Sequence, residues 1–155
     1  MRIDPISNGI VIDHSLIEAL ARYTGIKIVL ISPDELRVPD YVREDVLEKH
    51  GIPYEETTDL EGSLPKLDAL YMTRVQRERF FNEEDYLRLK DSYILEPKKL
   101  KNAKPSLSIM HPLPRVNEIS VAVDDDPRAC YFKQVLNGKF IRMALILKLL
   151  EEAKK

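Results

Sequence analysis

The run Ile26 to Ile31, Ile-Lys-Ile-Val-Leu-Ile, is nearly all apolar and largely β-branched, which is the composition of a strand covered on both faces. Strands of this kind belong to parallel sheets, and parallel neighbours need crossover connections, so helices have to alternate with strands along the chain. The sequence meets that demand. Ser15-Leu-Ile-Glu18 fits a capping box, Leu16, Ile17, Leu20 and Tyr23 share one helical face, and Gly25 follows, which predicts a helix over about 15–23. Pro39 suits a first helical turn, Val42, Val46 and Leu47 share a face, and Gly51 closes that helix, with His50 read as a cap and not as a ligand. Ile52–Thr58 reads as a thinner edge strand, Asp59–Leu64 as a single helical turn, Asp68–Thr73 and Leu107–Met110 as further strands, and Glu96–Lys104 as a short surface helix opened by Pro97. From Pro127 the pattern predicts two helical pieces broken at Asn137-Gly138; the second, with Phe140, Ile141, Ala144, Leu145, Leu147 and Leu149, is apolar enough to require deep packing or another domain. The fold expected is α/β: a doubly wound, mostly parallel, three-layer Rossmann-like sheet in a single domain.

Several function classes drop out on composition. The chain has 155 residues, a formal net charge of -2 and interleaved acids and bases, which gives no basic field for nucleic acid. One cysteine, Cys130, cannot form an internal disulfide, and no uncharged apolar stretch has the length of a membrane span, so the expectation is a cytoplasmic protein without membrane contact. There is no GxGxxG, no GxxxxGK and no Cys or His cluster with zinc spacing. Asp124-Asp-Asp126 precedes Pro127 and reads as a cap or turn in preference to a metal site, because consecutive side chains do not converge on one ion. No cofactor and no metal are expected.

Charge recognition remains. Two apolar runs stop abruptly at polar residues suited to gripping an anion: Arg74 and Gln76 after one, His111 and Arg115 after the other. Open α/β sheets bind ligands beyond the carboxyl ends of their strands, so both clusters should face one cleft. At alternating positions, Arg74 and Gln76 project to one side, where a guanidinium fork and an amide hold a carboxylate together, although a structural ion pair remains an alternative for such a residue. In His111-Pro-Leu-Pro-Arg115 two prolines stiffen the backbone and leave carbonyls without competing donors. The charged stretch 76–90 reads as a solvated loop or lid.

Tyr71-Met-Thr-Arg-Val-Gln-Arg-Glu-Arg79 and His111-Pro-Leu-Pro-Arg-Val-Asn-Glu-Ile119 resemble the C-terminal, aspartate-binding domain of aspartate carbamoyltransferase catalytic chains. The resemblance runs from His14-Ser-Leu-Ile-Glu-Ala-Leu20 through Leu30-Ile-Ser-Pro33, Glu56-Thr-Thr-Asp-Leu60 and Tyr131-Phe-Lys-Gln134 to Arg142-Met-Ala-Leu145. It implies transfer of a carbamoyl group from carbamoyl phosphate to L-aspartate in pyrimidine synthesis. It also implies that Arg74 and Gln76 hold the aspartate carboxylates, that the carbonyls of Leu113 and Pro114 bind the carbamoyl amine, and that Glu78, Asp85 and Tyr86 belong to a loop closing over substrate. Asn117 stands where the family has aspartate, a departure that bears on that loop's latching.

The family's carbamoyl-phosphate domain, with its Ser-Thr-Arg-Thr loop, has no counterpart in these 155 residues, and Val11 stands in place of an arginine before the His-Ser-Leu match. Residues 1–13 are expected to be a leader or substitute strand pairing beside 26–31, and 14–155 the aspartate-binding domain. The stretch Arg2 to His14 resembles the opening of the same enzyme's regulatory chain. The partners implied are L-aspartate or a dicarboxylate analogue, a chain carrying the carbamoyl-phosphate domain, and further copies in a homo-oligomer. Two functional classes stay open at this point: a transferase half inactive by itself, and a noncatalytic binding or assembly module.

Overall fold

The computed structural model describes residues 3–5, 14–74, 84 and 93–154. Strand β1 is Ile3–Pro5, β2 Ile28–Ile31, β3 Tyr54–Thr57, β4 Ala69–Tyr71 and β5 Ser108–Met110. Two parallel ladders form, β1-β4-β5 and β2-β3. The hydrogen-bonded partner of β1 is β4, with Ile3 opposite Ala69, and β2 lies alongside β1, which makes the spatial order β3-β2-β1-β4-β5. That is the order of a doubly wound half-sheet, in which the chain reverses direction across the sheet beside its first strand.

Period-two alternation divides the core as a two-sided sheet demands. From β2, Val29 and Ile31 enter one apolar cluster with Leu64, Leu70, Met72, Leu95, Ile109 and Tyr131. Ile28 and Leu30 enter the other, with Ile17, Val42, Leu47 and Ala69. The molecule is therefore a single α/β domain of three layers. Helix α1, His14–Leu20, covers the second cluster with Ile17 and Leu20. It ends three residues short of the expectation, and Tyr23, placed on its buried face by the sequence pattern, is 65% exposed in the turn that follows. The segment after Pro39 buries Val42, Val46 and Leu47 as expected, but over Val42–Glu48 it is a π-helix. The amide of Ile52 reaches back to the Leu47 carbonyl, and His50 Nδ1 lies 2.8 Å from the Val46 carbonyl, so His50 caps the last turn. Asp59 caps α2, Leu60–Ser63, by accepting from the Gly62 amide at 2.9 Å.

The C-terminal expectation is corrected. Helix α3, Tyr131–Glu152, is one continuous helix of 22 residues, about 33 Å long. Asn137-Gly138 does not break it, because a single glycine in a helix interior costs only about 1 kcal/mol against the propensities of its neighbours. A methyl group on Gly138 would meet nothing closer than Arg142 Nη2 at 3.9 Å. Gly138→Ala is thus expected to stabilise the helix by roughly 0.5–1 kcal/mol, read as a higher midpoint in far-ultraviolet circular dichroism melting. A lower midpoint would reveal a close neighbour that the methyl displaces. Of the two expectations for Phe140, Ile141, Leu145, Leu147 and Leu149, deep packing or another domain, deep packing is absent: all are more than half exposed, and Tyr131 alone in α3 is fully buried. Among the described residues, no helix is long and apolar enough to cross a membrane.

Candidate functional site

The parallel register of β4 and β5 sets Tyr71 opposite Met110, and the Met72 amide donates to the Met110 carbonyl at 2.9 Å. Arg74 lies three residues beyond Tyr71, and Leu113 three beyond Met110. Both therefore emerge at the same end of adjacent strands, the carboxyl end where open α/β sheets take their ligands. Arg74 is exposed, and no hydrogen bond or ion pair joins its guanidinium to another described residue. Gln76, Glu78, Asp85 and Tyr86 lie outside the described residues.

The turn after β5 is held from three directions. Leu113 has φ +50 and its peptide bond to Pro114 is cis; Leu113 is half-buried against the core and Pro114 is exposed. The first hold is His111, 1% exposed, whose Nε2 lies 2.7 Å from Glu118 Oε1 while its Nδ1 accepts from the Leu113 amide at 2.9 Å. Glu118, 4% exposed, uses Oε2 to accept from the amides of Val116 and Asn117, both at 3.0 Å. The second hold is Gln134 in the first turn of α3, whose Oε1 accepts from the His111 amide at 3.0 Å. The third is Arg115, which forks onto Asp124, Nη2 to Oδ2 at 2.6 Å, and lies 5.6 Å from the Tyr131 ring centre; Tyr131 also donates its hydroxyl to Asp124.

These bonds correct one expectation. His111 and Arg115 are not anion grips, since each is consumed by an internal acid, Glu118 for one and Asp124 for the other. The acid run is likewise structural: Asp124 serves Arg115 and Tyr131, and Asp126 pairs with Arg128 at 2.7 Å. Among the described residues no group of three or more His, Cys, Asp or Glu is placed to hold a metal ion. Glu118 and Gln134 are loop anchors that the sequence reading passed over, and Asp124, read there as a cap or turn, is a third.

Electrostatics follow from these contacts. Burial alone would raise the Glu118 carboxyl, but the His111 ring and backbone amides hold it down at about 2. Arg115 and the Tyr131 hydroxyl lower Asp124 to about 2, and burial together with Asp124 pushes Tyr131 up to about 12. A carboxyl depressed in the folded state contributes stability above its unfolded value, which is lost as pH falls toward the folded one. For Glu118 that window runs from the ordinary 4.5 down to about 2, with a contribution on the order of 3 kcal/mol. Glu118→Gln is expected to be less stable at neutral pH and to lose stability more gently between those limits, as urea unfolding at a series of pH values would read. Parallel curves for the two proteins would contradict this.

Residues 8–149 match the family model described as the Asp/Orn binding domain of aspartate/ornithine carbamoyltransferase. The aspartate carbamoyltransferase catalytic subunit of Lachnoclostridium phytofermentans is 63% identical over 137 residues, 88% of this chain and 45% of the relative; that of Clostridium acetobutylicum is 62% identical over the same length. The chain thus spans less than half the length of these relatives. Among solved structures, the catalytic subunit of M. jannaschii aspartate transcarbamoylase superposes with a TM-score of 0.88 at 37% identity, covering 98% of this chain and 50% of that one. The Trypanosoma cruzi enzyme in complex with carbamoyl phosphate and aspartate gives 0.83 at 34% identity, covering 94% and 49%. The strand order, the turn after β5 and these likenesses agree, and the chain belongs to the aspartate/ornithine carbamoyltransferase family, of which it carries the C-terminal, aspartate-binding domain of a catalytic chain.

Proposed function

We propose that this chain supplies the aspartate half of an aspartate carbamoyltransferase site. The observation that carries the reading is the matched exit of β4 and β5, which brings Arg74 and the carbonyl-bearing turn at Leu113 and Pro114 to one end of the sheet. Arg74, with Gln76, holds the substrate carboxylates; a guanidinium orients a dicarboxylate without being consumed. The carbonyls of Leu113 and Pro114 accept from the carbamoyl amine. In the reaction the aspartate amine attacks the carbamoyl carbon, the bond from that carbon to the phosphate oxygen breaks, phosphate leaves, and the amine sheds a proton. The chain's part is binding and orientation. A second chain carrying a carbamoyl-phosphate domain completes the site, Glu78, Asp85 and Tyr86 close over it, no cofactor takes part, and the setting is the cytoplasm. Residues 1–13 act as a leader whose strand β1 fills the sheet beside β4.

A second reading, a noncatalytic assembly module, is favoured by the bare apolar surface of α3, through which we also propose that copies of the chain associate. Succinate titration separates the two. Binding at millimolar concentrations that weakens about 10- to 150-fold in Arg74→Ala, the loss expected for one charge-assisted contact, supports the substrate site. Equal binding by the variant and the parent chain would remove Arg74 from it.

A further inference from the structure

His111 is the one buried ring in the turn, and its two nitrogens face different chemistry. Nδ1 lies 2.9 Å from the Leu113 amide, which can only donate, so Nδ1 carries no proton. Nε2 faces Glu118 Oε1 at 2.7 Å and carries the proton. The other oxygen of Glu118 is occupied by two backbone amides, which can only donate. A carboxylate answers both demands at once. An amide in its place would set its NH2 either against those backbone donors or against the ring, and the second choice forces the ring proton onto Nδ1, opposite the Leu113 amide. The Leu113 φ of +50 is a conformation disfavoured for residues with a side chain, so a turn of this shape needs bonds that impose it.

We propose that His111 is a positioning residue: held by Glu118 in the Nε2–H tautomer, it fixes the Leu113 amide through Nδ1 and thereby aims the Leu113 and Pro114 carbonyls at the substrate. This rests on the reading of those carbonyls as acceptors for a carbamoyl amine and adds what holds them in place. His111 touches no substrate. It acts through Leu113, and Glu118 acts through His111.

Two substitutions divide the ring. His111→Asn keeps an acceptor near the Nδ1 position and gives up the contact to Glu118; His111→Gln does the reverse. Long-range proton–nitrogen NMR spectra of the 15N-labelled chain report which nitrogens of each ring carry protons, and His50 serves as a control, because its Nδ1 faces the Val46 carbonyl, which can only accept, and therefore carries a proton. The expected result has three parts: opposite Nδ1 signatures for His111 and His50, a Leu113 amide protected from exchange in the parent chain and in His111→Asn but not in His111→Gln, and N-carbamoyl-L-aspartate bound roughly five- to tenfold more tightly than succinate except in His111→Gln. A protonated Nδ1 in His111, or an undiminished preference for carbamoyl aspartate in a folded His111→Gln, overturns the positioning role alone. A parent chain with no preference between the two ligands overturns the substrate reading of the carbonyls, and the positioning role with it.

Discussion

Given carbamoyl phosphate and L-aspartate, the chain by itself is expected to form no carbamoyl aspartate above the uncatalysed background. Transfer needs the carbamoyl carbon held in line with the aspartate amine, and holding two reactants in that geometry accounts for about 7–11 kcal/mol of a barrier, or roughly 10⁵- to 10⁸-fold in rate. In the site proposed above, Arg74 serves the dicarboxylate and the Leu113 and Pro114 carbonyls serve the carbamoyl amine, and neither of those contacts grips phosphate. His111 and Arg115, the sequence candidates for an anion grip within the turn, are held by Glu118 and Asp124. A phosphate-release assay over a range of both substrates measures this. Turnover that disappears in Arg74→Ala would show that a phosphate grip exists within these residues after all, whereas recovery on adding a chain with a carbamoyl-phosphate domain is the outcome the divided site anticipates.

How far the sequence could be read depended on how local the physics was. The strands were legible because burial on both faces leaves an apolar, β-branched run, and Ile28–Ile31 is buried at every position. The exits at Arg74 and Leu113 were legible for the same reason, since polarity begins where the sheet ends. Pairings across the turn were not. Arg115 looks like an anion grip until Asp124, nine positions on, takes both arms of its fork, and His111 looks available until Glu118 closes over it. In helix α3 the break was misread, because Asn137-Gly138 is a stop signal only where neighbouring propensity is weak, and the apolar pattern stated that a surface needs covering without stating what covers it. The π-helix over Val42–Glu48 left its buried face where an α-helical reading put it, so period alone did not reveal the extra residue in its hydrogen-bonded loops.

The second large effect is expected from α3. Leu136, Phe140, Met143, Leu147 and Leu150 follow one another at intervals of four, three, four and three, the spacing of a seam that packs against another helix. Ile141, Leu145 and Leu149 form a second stripe on the opposite side, and every one of these eight side chains is at least half exposed. A helix apolar on two sides is ordinarily buried, and an exposed surface of this extent drives association. The chain is therefore expected to form oligomers whose mass rises with concentration in sedimentation equilibrium. Leu145→Asp with Leu147→Asp places one carboxylate in each stripe and should return it to a monomer. Because neither residue packs against the body of the domain, the double variant should keep the melting temperature of the diluted parent chain, which separates lost association from lost folding. A parent chain that stays monomeric at hundreds of micromolar, or oligomers indifferent to both carboxylates, would mean that the covering of α3 has to be sought elsewhere in the chain.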